Sequence, residues 1–419
     1  MDIEHIQHLD EKDPLKEMRS AFCFPKNKEG IPLRYFCGHS LGLQPKIAEN
    51  EISSILNQWK DKAVEQWFEP EAPWYPYFDQ LREPLGKIVG ARASEVTVMN
   101  SLTVNMHLLL ATFYQPTANR YKIVVDSPVF PSDLFALKSQ IQFHGYDPDD
   151  ALVLLKPKDE ESTLTEAAID QCLKEHGAST ALVWFSGVNY FTGQHYALQT
   201  LVKSAQAYGC CIGLDLAHAI GNVPLELHNW GVDFAVWCHY KYLNSGPGSV
   251  GGAFVHEKHW SHAVTHRLEG WWGCHPERRF DMQESKGFAP DTGANAWQLS
   301  TPSLLSAAPL RASLKLFEKT QMSELREKSI KLTGLLEMLL EPIADNKAKI
   351  ITPNNPNERG AQLSLILQSK PTQCLHYLKE RGFVCDFRKP NVLRAAPAPM
   401  YNTYSDVYAL GKALVDFFR

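Results

Sequence analysis

Cys211-Ile-Gly-Leu-Asp215-Leu-Ala-His218-Ala219 is an apolar run closed by a carboxylate, with a histidine three residues further on. Phe234-Ala-Val-Trp-Cys-His-Tyr240-Lys241-Tyr-Leu-Asn244 repeats the pattern with an amine and runs straight into Gly246-Pro-Gly248-Ser-Val-Gly251-Gly252. Both read as buried strands that present a charged side chain at their carboxyl ends, where ligands sit in open α/β sheets. Taken singly, each residue has a plainer reading. An Asp at a strand end is more often a turn or helix N-cap, and a lone Lys there is usually a solvated surface residue.

Further out, short apolar runs at 122–126, 151–155, 181–186 and 252–256 alternate with amphipathic stretches at 101–114, 132–142, 165–176 and 198–208. That alternation predicts an α/β fold with a mainly parallel sheet. A region rich in Gly, Pro and Trp, 270–302, interrupts it. A long helical pattern over 303–340 and strands at 362–368 and 392–394 follow. The expected division is an N-terminal segment 1–50 packing with the small domain, a large domain 51–300, and a smaller α+β domain 301–419.

A formal net charge of -5 gives no basic face for nucleic acid. The apolar runs fall far short of the roughly 20 residues that a membrane span needs, and the first 16 residues carry no signal-like stretch. A cytoplasmic protein with neither membrane nor nucleic-acid partner is expected. The nine cysteines are scattered, without a C-x-x-C pair, and read as reduced thiols. No metal site is expected.

An amine just after a buried strand is expected to be desolvated, which lowers its pKa and makes it a usable nucleophile. Asp and then Lys on successive strands is the arrangement that pyridoxal phosphate (PLP) needs: an imine partner, and an anion that keeps the pyridine nitrogen protonated. A phosphate would sit at a helix N-terminus. Val98-Met-Asn100-Ser101-Leu102-Thr103 supplies one, although plain N-capping explains it equally well. Phe130-Pro131-Ser132-Asp133 follows another strand and could place an aromatic ring over the pyridine; alone it is an ordinary turn and cap.

Together these residues resemble the kynureninases, PLP hydrolases of the fold type I, class V aminotransferase-like group that cleave L-kynurenine to anthranilate and L-alanine. The matching strings include Tyr35-Phe-Cys-Gly38-His-Ser40-Leu-Gly-Leu-Gln-Pro45, Met99-Asn-Ser-Leu-Thr-Val-Asn-Met-His107, Asp215-Leu-Ala-His-Ala-Ile-Gly-Asn222, Tyr240-Lys241-Tyr-Leu-Asn244 and Phe387-Arg-Lys-Pro-Asn-Val-Leu-Arg394. They span about residues 35 to 400.

The resemblance implies a large domain with a seven-stranded sheet and a smaller domain behind it. It makes Lys241 the Schiff-base lysine and the base that moves the Cα proton, and pairs Asp215 with the pyridine nitrogen. Phe130 would stack on the ring. Leu102, Thr103, Asp133, Ser186, His218, Tyr240, Trp271 and Thr301 would complete the cofactor shell, with Tyr240 also a proton donor. Arg394 would clamp the substrate carboxylate, for which a guanidinium fork is well suited. Ser40, Trp67 and Thr301 would face the substrate.

Some phosphate contacts in the family come from a neighbouring subunit, so a homodimer is implied. Relatives that prefer 3-hydroxykynurenine carry a His and an Asn where this chain has Trp67 and Thr301, which predicts a preference for unsubstituted L-kynurenine. His39 stands where the family usually has Asn. The nearest rival is a cysteine desulfurase or selenocysteine lyase of the same fold. Those need a nucleophilic Cys on a late, mobile loop, whereas Cys374 falls in a helical pattern and Cys385 in a strand-like one.

Overall fold

The computed structural model describes residues 2–158, 161–260, 266–281, 287–344 and 346–419. Its main sheet contains seven strands: β1 Val96–Val98, β2 Lys122–Asp126, β3 Leu152–Leu155, β4 Thr180–Ser186, β5 Cys211–Asp215, β6 Phe234–Cys238 and β7 Gly251–Val255. They lie in the order β1-β7-β6-β5-β4-β2-β3. The β2–β6 strands run parallel, and β7 runs antiparallel to both its neighbours. Helices cover both faces, so the central strands are apolar throughout rather than alternating. Every residue of β6 and β7 is buried.

Two details differ from the periodicity reading. Val96–Val98 is a strand, too short at three residues to register as one in sequence. The 303–340 pattern is two helices, Leu304–Phe317 and Met322–Leu340. A capping box between Gln321 and Glu324 starts the second one afresh.

A second sheet comprises β8 Ala348–Ile350, β9 Leu363–Leu367, β10 Asp386–Arg388 and β11 Val392–Ala395, in the antiparallel order β8-β9-β11-β10. Its core joins Leu336, Leu365, Leu393 and Leu410 to Ile6 and Phe36 of the N-terminal segment. Arg34–Tyr35 pairs with Phe383–Val384, and the Asp10 carboxylate accepts from the backbone N–H of Tyr404 at 2.6 Å. The Leu304–Phe317 helix instead packs on the Ala48–Lys62 helix, and its Ala307, Leu310 and Leu314 share a core with Val96 and Leu214 of the main sheet. None of the described helices is long and apolar enough to cross a membrane.

Candidate active site

The carboxyl ends of β2, β4 and β5 place Asp126, Ser186 and Asp215 around one cavity, and the turn after β6 adds Tyr240 and Lys241. The opposite wall holds Leu102 and Thr103 from the first turn of the Leu102–Phe113 helix, and Phe130 and Asp133 from the start of the Pro131–Phe143 helix. His218 completes it. Nine of the residues expected from sequence therefore meet in one place.

The two helix N-termini converge, with Thr103 Oγ1 2.8 Å from Ser132 Oγ. Ser101 caps the first helix without a side-chain hydrogen bond, which leaves that turn's N–H groups free for an anion. Phe130 lies across from the amine, its ring centroid 5.8 Å from Lys241 Nζ.

Lys241, three residues past the end of β6, is half-buried. Asp215 is buried, and its Oδ1 accepts from the Ala217 N–H at 2.8 Å. Burial pushes its carboxyl upward, while the Lys241 amine and the Ala217 N–H favour its charge. Asp133 is pushed up much further, by burial first and by the neighbouring Asp215 second. Three buried acids, Asp126, Asp133 and Asp215, thus line the cavity with one lysine among the described residues, and of the Asp133–Asp215 pair Asp133 is held the more strongly toward its protonated form. A cationic ring beside Asp215 would supply the missing positive charge.

Burial, with Lys241 and Arg394 nearby, drives His218 well below its usual range, so its ring is neutral; its Nδ1 has no partner. Burial and Cys238 raise the Tyr240 hydroxyl, so it holds its proton through the neutral range. These features suit PLP on three counts: an anion site for the phosphate, a buried acid for the ring nitrogen, and an amine for the aldehyde.

Arg394 does not line the cavity but borders it. The guanidinium is buried, and its Nη1 donates to the carbonyl of Tyr190, a cavity residue. Its Nη2 donates to Asp386. Ser40 joins the same group, its Oγ 2.8 Å from Asp386 Oδ2. His39 is completely buried, with Nε2 3.3 Å from that oxygen.

Trp67, Trp271 and Thr301 do not line this cavity. Trp67 packs on Trp74 and Trp272, and Trp271 is 42% exposed. Thr301 stands two residues past Leu299, whose carbonyl accepts the Trp272 N–H.

Sequence reading passed over Asp126 and Asp386. Asp126 was visible by the same rule that selected Asp215, a carboxylate closing a parallel strand. It accepts from Ser186 Oγ at 2.5 Å, Asn189 Nδ2 at 3.0 Å and Tyr196 OH at 3.1 Å, and so fixes Ser186 at the cavity edge. Asp386 had no such local mark.

Buried neutral histidines set an acid limit. Burial pushes His39 and His239 from 6.5 down to about 4. His239 donates from Nδ1 to the Val250 carbonyl and accepts at Nε2 from Trp237, which requires a neutral ring. The unfolded chain binds these protons near 6.5 and the folded chain only near 4. Their contribution is therefore intact above the unfolded value and lost as pH falls through the window to the folded one. We expect urea unfolding to show a loss on the order of 1–2 kcal/mol per histidine between about pH 7 and about pH 5. A flat stability profile across that window would contradict neutral burial.

Comparison with known proteins agrees with the site. Residues 325–414 match the family model described as the kynureninase C-terminal domain. The kynureninase of Myxococcus xanthus is 47% identical over 406 residues, covering 97% of this chain and 95% of its own. That of Flavobacterium psychrophilum is 45% identical over 416 residues, covering 98% and 97%.

Among solved structures, the Escherichia coli cysteine desulfurase CsdA superposes with a TM-score of 0.76 at 17% identity, covering 96% of this chain and 98% of its own. A C-DES mutant with glycine covalently linked to its PLP cofactor gives a TM-score of 0.76 at 16% identity, covering 92% and 96%. At such low identity these likenesses show the fold, that of the fold type I PLP enzymes, and nothing finer. The near-full-length relatives are decisive: the chain belongs to the kynureninase family.

Proposed function

We propose that this chain is a PLP-dependent hydrolase that cleaves the Cβ–Cγ bond of L-kynurenine to give anthranilate and L-alanine. The observation that carries this reading is the meeting of Asp215 and Lys241 in one cavity, beside an uncapped helix N-terminus, in a chain of this family. The first-turn N–H groups at Leu102 and Thr103 would hold the phosphate, Phe130 would cover the ring, and Asp215 would keep the ring nitrogen protonated. Bound PLP supplies the electron sink for the carbanion.

The protein's own residues do the rest. Arg394 orients the substrate through its carboxylate, and Ser40 and His39 close that end of the site. Lys241 Nζ takes the Cα proton and returns it. Tyr240, held protonated, gives a proton to the substrate.

We assign Trp271 and Thr301, with the Trp67 face, to the cavity of a second copy, which makes the working unit a homodimer. Trp271, Phe280 and Phe68 are 42%, 45% and 61% exposed, an apolar patch of the kind that partners cover. All nine cysteines are free thiols, which suits a reducing cytoplasm and a role in tryptophan breakdown through kynurenine, toward NAD synthesis. None of them lines the cavity.

Fluorescent anthranilate should appear when the PLP-loaded protein meets L-kynurenine. With 3-hydroxykynurenine, kcat/KM is expected to be about tenfold lower or more, because an indole and a threonine replace partners for the ring hydroxyl. Equal values for the two substrates would overturn the assignment of Trp67 and Thr301 to ring recognition. No anthranilate at all would overturn the reaction.

A further inference from the structure

We infer that Asp386 is a positioning residue for the substrate's α-carboxylate, holding Arg394 in its binding pose while the loop Gly38–Gly42 holds Asp386. The inference deepens the functional reading and rests on it, since it takes Arg394 as the carboxylate's partner.

Asp386 lies directly opposite Arg394 in the β10–β11 register, where side chains on one face meet across the ladder. One oxygen, Oδ2, collects the whole group. It accepts from Arg394 Nη2, from Arg388 Nη2 at 3.0 Å and from Ser40 Oγ at 2.8 Å, with His39 Nε2 at 3.3 Å. Arg394 Nη1 is spent on the Tyr190 carbonyl, yet its Nε has no partner although the side chain is only 1% exposed. A guanidinium has five N–H donors. With Asp386 and Tyr190 steadying it, Nε and the remaining N–H groups are left to take a planar carboxylate.

The charges agree. Arg388 and Arg394 bring two positive charges and Asp386 one negative, so the group has one positive charge to spare for one carboxylate. Burial opposes the Asp386 charge, but the His39 and Arg394 contacts overcome it and hold the carboxyl well below its ordinary range. It is an anion at working pH.

The same loop reaches the catalytic lysine. Gly42 donates its N–H to the Tyr240 carbonyl at 2.8 Å, and a Cβ at Gly42 would come within 2.3 Å of the Lys241 carbonyl. Ser40 and Gly42 thereby tie the carboxylate end of the site to the Lys241 segment, which fixes how far the substrate's Cα stands from the amine.

A merely structural ion pair would lower stability without selecting among ligands, so the test compares ligands. Asp386→Asn keeps the shape and removes the charge. In the PLP-loaded enzyme we expect KM for L-kynurenine to rise about tenfold or more, roughly 1.4 kcal/mol of binding, with kcat changed far less. The amine made by decarboxylating kynurenine serves as a competitive inhibitor that lacks the carboxylate, and its inhibition constant should not move. The visible absorption of the bound cofactor should not move either. Ser40→Ala, which removes one donor to Asp386, should give a smaller rise of the same kind, and it decides the matter should Asp386→Asn fail to fold. An unchanged KM, or a KM and an amine inhibition constant that rise together, would overturn the inference. Wild-type protein that releases no anthranilate would overturn the functional reading beneath it.

Discussion

Replacing Lys241 by alanine should abolish the visible absorption that appears when PLP is added to the protein, and should lower anthranilate release about 10³-fold or more. The size follows from what one amine contributes. It is the only lysine lining the cavity among the described residues, so the variant loses both the covalent hold on the cofactor and the group that moves the Cα proton; positioned proton transfer alone is worth about 10²–10⁴. Stability should change little, because Lys241 is half-buried and belongs to no ion pair among the described residues. Difference spectroscopy and an anthranilate fluorescence assay on the same samples would read both effects. A variant that retained the band and the rate would place the cofactor elsewhere.

Asp215→Asn is expected to be nearly as severe in rate and much milder in cofactor retention. The amide preserves the shape and can still accept from the Ala217 N–H, but it carries no charge to hold a proton on the ring nitrogen. Losing a fixed charge aimed at the reacting system in a water-poor site costs about 10²–10³ in kcat. Asp133 should respond in the opposite sense. Its carboxyl is pushed up partly by the negative Asp215, so removing that charge lets it ionise more readily. The substitution leaves Leu102 and Thr103, the proposed phosphate site, untouched, so dialysis should strip PLP from the variant little faster than from the parent protein. Full activity in Asp215→Asn would show that the ring nitrogen does not face this residue.

Much of this was legible in the chain itself, for identifiable reasons. The β5 and β6 runs are continuously apolar and end in chemically distinctive residues, so both strands and their carboxyl-end ligands could be read directly. The antiparallel turn of β7 was also available: no helical pattern separates Tyr240 from Gly251, and a parallel return needs a crossover of a dozen or more residues, usually a helix.

What could not be read was register and distance. Arg394 looks like a surface residue until Asp386 is found opposite it, and nothing local in an eight-residue separation reveals that pairing. His39 and Ser40 reach the same oxygen from more than 340 residues away. Trp67, Trp271 and Thr301 do not line the cavity; their place in the site rested on the resemblance alone, and their assignment to a second copy is the proposal made above.

The most direct test of the account is to load the protein with PLP, reduce it with borohydride, digest it and locate the pyridoxyl-modified peptide by mass spectrometry. The modification should fall on Lys241, in the peptide that follows β6. A label on any other lysine, or none on a protein that nonetheless cleaves kynurenine, would contradict it.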